Sequence, residues 1–150
     1  MTSWRDETSD RTQADLDGLL DLGLRTGREQ LEVAGEFYPF AVALDEAGES
    51  RLVQPELPAR KGVADVAEVH ELCWQALAAE AGSLRAAAVV TNVGGAGGDA
   101  VAVALEHRDG VAIEVFLPYV TQGKVNGKKP AQKHRFGDLT AAEGQPRLWA

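Results

Sequence analysis

The stretch Glu106-His107-Arg108-Asp109-Gly110-Val111-Ala112-Ile113-Glu114-Val115-Phe116-Leu117-Pro118-Tyr119 sets a turn directly ahead of an alternating run. Val111, Ile113, Val115 and Leu117 fall on one side of that run and Ala112, Glu114 and Phe116 on the other, the period of two that marks a β-strand. A glutamate on the second side implies a sheet covered on one face and at least partly wet on the other. Asp109-Gly110 is a strong hairpin signal, because tight hairpin turns need positive φ. The run from Ala100 to Glu106 is therefore read as the antiparallel partner, and Leu84 to Val93, joined to it through Gly94 to Gly98, as a third strand of the same meander.

Outward toward the amino terminus, Val66, Val69, Cys73, Leu77 and Ala81 recur at steps of three and four within 63–81, with Asp65, Glu68, Glu71 and Glu80 largely on other faces. That is the pattern of an amphipathic helix lying on an apolar surface, here expected to be the strands that end at Glu106 and Tyr119. Phe37 to Leu44 and Arg51 to Leu57 read as two strands joined by a short turn through Gly48. Pro39 and Pro55 lack an amide hydrogen for a ladder and belong at a strand start or a sheet edge. Asp10 to Ala34 carries Leu16, Leu20, Leu24, Gly27, Leu31 and Ala34 along one helical stripe, with Ser9 or Asp10 as its cap. Its glycines weaken the helix and predict a break near 23–27.

Helix, hairpin, helix, meander predicts a single α+β domain over 1–150, a five-stranded, mostly antiparallel sheet with helices packed on it. Residues 1–9 are expected to fray, 120–135 to form a basic mobile loop, and 136–150, with Phe136, Leu139, Leu148 and Trp149, a docking tail. At 150 residues the chain needs neither a metal nor a disulfide framework to bury a core, and its single Cys73 has no partner for an internal bridge. The longest apolar run, Phe37 to Leu44, is too short to span a membrane, and the polar start Met1 to Glu7 does not read as a secretory signal. A cytoplasmic protein without cofactor or membrane association is the expectation.

The net charge of −8 is unevenly spread: residues 1–50 hold 12 acids and 4 bases, residues 101–150 hold 5 and 7. The basic excess gathers at Lys124, Lys128, Lys129, Lys133 and Arg135. Without interleaved aromatic residues this segment argues against single-stranded nucleic acid and reads either as a solvated loop or as a patch for an acidic partner.

Gly95-Ala96-Gly97-Gly98-Asp99-Ala100 fits a dinucleotide pattern, but the residues after it have the period of a strand rather than a phosphate-binding helix. His70 and Cys73 share a helix side at a spacing a zinc site could use, yet Cys73 falls in the apolar stripe and no further ligand is evident. Glu36, Tyr38 and Tyr119 are the candidates for a polar site, provided the first and last strands pair and bring the two phenols together. Trp149 either covers an open sheet face or anchors a contact with another chain.

The order of elements resembles that of roadblock-type dynein light chains and, without the first helix, of profilin- and longin-like domains. That resemblance implies the strand order 2-1-5-4-3 and a scaffold role, often dimeric. Glu36-Phe37-Tyr38-Pro39-Phe40-Ala41, with Glu106 to Gly110 and Phe116-Leu117-Pro118-Tyr119, also resembles a loose group of small bacterial proteins to which no activity is assigned. The reading that results is a non-enzymatic interaction or scaffold module binding a protein or its own copy. Its alternatives are an acidic, immunity-like inhibitor of a basic partner and a small enzyme near Tyr38 and Tyr119.

Overall fold

A computed structural model describes residues 9–55, 65–94, 98–122 and 133–149. Its elements are α1 (Asp10–Ala34), β1 (Phe40–Asp45), β2 (Ser50–Val53), α2 (Val66–Glu80), β3 (Leu84–Val93), β4 (Asp99–His107), β5 (Val111–Gln122), β6 (Lys133–Phe136) and β7 (Thr140–Glu143), with a 3-10 turn at Ala81–Ser83. Among the described residues no helix is long and apolar enough to cross a membrane.

The fold is α+β with an antiparallel sheet, but among the described residues the sheet has seven strands in the order β2-β1-β3-β4-β5-β6, and β7 also pairs with β5. The five-strand order 2-1-5-4-3 is thereby corrected: β1 lies beside β3, with Ala41 opposite Val89, and not beside β5. Burial supplies the reason. Ala86 to Val90 are buried on both faces of β3, which only a central strand under two layers can satisfy. β5 alternates instead, with Ile113, Val115 and Leu117 buried and Ala112, Glu114 and Phe116 half-open, and suits a position farther out. Its outer edge is taken by β6 along Tyr119–Gln122 and by β7 along Ile113–Phe116, the two short strands lying end to end.

α1 lies across β1, β3 and β4 on one face, over a core that includes Leu16, Leu19, Leu31, Val42, Val90, Val103 and Ile113. α2 lies on the other face over β1, β3 and the margin of β2, where Val69, Cys73, Trp74 and Leu77 meet Ala41, Ala43, Ala87 and Val89. The expectation that the Cys73 helix covers the strands ending at Glu106 and Tyr119 is corrected accordingly. β2 and β3 each run antiparallel to β1, so α2 joins two parallel strands across an inserted one, and the shortest route lies over β1.

α1 is continuous where its glycines predicted a break. The Ser9 hydroxyl accepts from the Thr12 amide and caps it, and Gly35 closes it onto the Leu31 carbonyl. Gly23 and Gly27 sit on the buried stripe and let the helix approach the sheet. A Cβ at Gly23 would stand 2.9 Å from Val90 Cγ2, whereas one at Gly18 would meet nothing within 4 Å. Close packing thus offsets the propensity loss of about 1 kcal/mol per glycine. Gly23→Val is expected to cost about 1–3 kcal/mol by overpacking, and Gly18→Ala to add about 1 kcal/mol. Urea midpoints of the two variants should move in opposite directions from that of the parent chain.

Candidate functional site

Two strands stand between β1 and β5, so at the usual spacing their axes are about 14 Å apart. Tyr38 and Tyr119 therefore do not share the β1–β5 pairing that was to bring them together. Tyr119 is buried on the α1 side, donates its hydroxyl to Asn92 Oδ1 at 2.6 Å, and meets His134 edge-on at 5.5 Å and Phe136 at 6.0 Å. Burial first, and the charge of Asp99 second, push its phenol above the usual range against the bond to Asn92. The Arg28 guanidinium covers Phe136 at 4.5 Å. This cluster seals the far margin of the α1-side core.

Glu36 and Tyr38 do share a site. α1 ends at Ala34, and the segment from Glu36 to Pro39 crosses from the helix layer into β1. At this end of the sheet the last turns of α1, the end of β2 and the first turn of α2 leave a cleft of about 590 Å³. Its floor and walls are largely apolar, including Phe37, Pro39, Phe40, Pro55 and Val69. Among the described residues, the polar side chains in its lining are those of Glu36, Tyr38, Gln30, Gln54 and Thr26. Tyr38, Leu52 and Val66, exposed at 37%, 44% and 48%, line it as well. Among the described residues its lining contains no histidine, cysteine or serine.

Two polar assemblies that the sequence reading did not single out lie elsewhere. At the opposite end of the sheet, Asp15 of α1 accepts from His107 Nε2 at 2.9 Å and from Arg85 Nε at 3.3 Å, with a second bond to Arg85 Nη2. The His107 ring accepts the Asp109 amide at Nδ1, which assigns its proton to Nε2, and Thr12 donates to Asp109 at 2.6 Å. The three central side chains are 5–12% exposed. Burial opposes ionisation of Asp15, but the hydrogen bonds from His107 and Arg85 and the charge of Arg85 outweigh it and hold its carboxyl below the usual range.

The second assembly holds the carboxy-terminal segment. Glu106, 2% exposed, accepts from the successive amides of Arg147, Leu148 and Trp149 at 2.7–3.0 Å. Arg147 also binds both oxygens of Glu71 on α2 and lies 5.0 Å from the Trp74 ring. Hydrogen bonding by Arg147 is the main cause that lowers the Glu71 carboxyl. Leu148 and Trp149 pack, half-buried, against the α2-side core.

Cys73 lies fully buried beneath α2, and burial pushes its thiol up to about 11. His70 stands edge-on to Trp74 at 6.4 Å. Among the described residues no group of three or more His, Cys, Asp and Glu side chains is placed to hold a metal ion. Residues 95–97 lie outside the described residues, and the chain beyond them forms β4 rather than a helix. Lys124, Lys128 and Lys129 also lie outside the described residues. Comparison with protein-family models, with curated proteins and with solved structures gave no significant match.

Proposed function

We propose that the chain is a non-enzymatic protein-interaction module whose partner docks in the cleft between α1, β2 and α2. The observation that carries this reading is the convergence of Tyr38, Leu52 and Val66, three of the large apolar side chains left exposed, on one concave surface. Exposed apolar side chains gathered around a cavity mark a binding surface, whereas scattered ones do not. Asp15, His107 and Glu106 support the same reading, since each of these three groups is saturated by partners within the fold.

Selection from a random peptide library on the immobilised full chain tests it. Peptides carrying a large apolar residue are expected to be enriched, and Leu52→Asp to weaken them about tenfold or more by placing a charge against the seated side chain. Leu139→Asp, at an exposed apolar position that does not line the cleft, should leave their affinity unchanged. Equal binding by parent chain and Leu52→Asp would sink the proposal. So would thermal stabilisation by small metabolites that compete at the cleft while no peptide is enriched, which favours the enzyme alternative.

A further inference from the structure

The cleft is continuous with a sheet edge that no further strand pairs among the described residues. β2 pairs only with β1 among the described residues, so the outer side of Ser50–Val53 turns its amide and carbonyl groups away from the sheet. Leu52 and Gln54, two positions apart on this segment, both line the cleft, as does Pro55. A strand laid along β2 would bring its alternate side chains to the cleft, the geometry of recognition by strand addition. The one cation of the edge, Arg51, is bound to Glu80 of α2 in the same chain. It neither guards the edge nor offers charge to a partner in the way an unpaired edge lysine does.

Charge then narrows the partner. Among the described residues, Glu36 is the only charged side chain lining the cleft. At the other end of β2, the turn carries the exposed acids Glu46 and Glu49, of which Glu46 is bound to Arg108. An added strand therefore lies between carboxylates at its two ends, beside the first third of the chain, residues 1–50, with its 12 acids and 4 bases. A second copy fits this edge poorly. Antiparallel pairing of β2 with β2 sets the Glu49 end of one copy toward the Glu36 end of the other, and opposed like charges destabilise a ladder.

Resting on the reading of the cleft as a protein-docking site, we infer that its partner is an extended, basic and apolar segment of a different protein. That segment adds to the outer edge of β2, seats an apolar side chain among Tyr38, Leu52 and Val66, and sets a Lys or Arg against Glu36. Electrostatic steering by the acidic first third of the chain speeds its encounter.

The test uses the full chain and three short synthetic peptides in fluorescence anisotropy. One alternates valine and leucine with lysine and arginine. The second has glutamate at every basic position, and the third is the basic peptide N-methylated on alternate amides. The basic peptide is expected to bind about tenfold or more tighter than the acidic one at low ionic strength and to weaken as salt approaches about 0.15 M. N-methylation on the ladder side should weaken it about tenfold. Glu36→Gln should narrow the basic-to-acidic ratio without moving the thermal midpoint.

Equal binding of basic and acidic peptides, both lost in Leu52→Asp, overturns the charge assignment and leaves the cleft reading intact. Unchanged binding of the methylated peptide overturns strand addition. A solution mass of two chains that Leu52→Asp returns to one names the second copy as occupant and overturns the inference. Peptide binding that Leu52→Asp does not affect removes both the inference and the docking site beneath it.

Discussion

Asp15→Ala is expected to lower the stability of the folded chain by about 3–5 kcal/mol, the cost of removing one partner from a buried ion pair. Both oxygens of Asp15 are in use, one shared by His107 Nε2 and Arg85 Nε and the other taken by Arg85 Nη2. With alanine there, the Arg85 guanidinium, 12% exposed, keeps its charge under α1 without the carboxylate that neutralises it. The His107 ring also loses the acceptor for its Nε2 hydrogen, while Nδ1 stays held by the Asp109 amide. Asp15→Asn should cost less, because an amide oxygen still accepts one of these donors, though its NH₂ faces the other.

The effect carries a pH signature. The Asp15 carboxyl is held below its usual range, so its contribution is fully present above the unfolded value of about 4 and is lost as pH falls through the folded one. The gap between parent and Asp15→Asn should therefore be constant from neutrality down to about pH 5 and shrink toward pH 3. Urea denaturation across that range checks it. A gap independent of pH would show that the loss comes from packing and not from the ionised carboxylate.

Glu106→Gln is expected to cost about 2–3 kcal/mol and to release the carboxy-terminal segment, although glutamine is nearly the same shape. Both carboxylate oxygens accept backbone amides, so either orientation of a glutamine turns its NH₂ against an N–H group of 147–149. Glu106→Ala should cost no more, because the segment can detach and leave its amides to water, which caps the loss at the free energy of docking. Hydrogen exchange at Arg147, Leu148 and Trp149 reads this directly. Their amides should be protected in the parent chain and exchange freely in both variants, while Glu143→Gln on the exposed β7 leaves protection and stability within about 0.5 kcal/mol. Protection retained in Glu106→Gln would mean that the contacts of Arg147 with Glu71 and Trp74 hold the segment without the carboxylate.

Neither Asp15 nor Glu106 stood out in the sequence as a site, and the separations explain it. Asp15 meets Arg85 across 70 positions and His107 across 92, and Glu106 meets the tail across 41–43. One signal was available: Arg85 inside the apolar run of β3 and Glu106 at the end of the apolar run of β4 are charges where a strand face should be buried. Glu36 and Tyr38 were found because they stand next to a proline-marked strand start. Their supposed neighbour Tyr119 was not theirs, since that pairing rested on a borrowed strand order. The unbroken run Ala86 to Val90 already argued for a strand covered on both sides, and so for β3 at the centre.

Periodicity, turn chemistry and capping depend on residues a few positions apart. They were accordingly readable in the alternation of Val111 to Tyr119, the Asp109-Gly110 turn, a cap at Ser9 or Asp10, and part of each helical stripe: Leu16, Gly27 and Leu31 on α1 and Val69, Cys73 and Leu77 on α2 are buried, whereas Leu20, Leu24, Ala34, Val66 and Ala81 are not. Strand order, the cleft at Glu36 and Tyr38, the straight run of α1 over Gly23, and the two saturated carboxylates depend on which surfaces meet after the chain closes on itself. Which surfaces cover one another and which distant groups hydrogen-bond settle those matters; a local window such as Ala86 to Val90 marks a strand covered on both faces without naming what covers it.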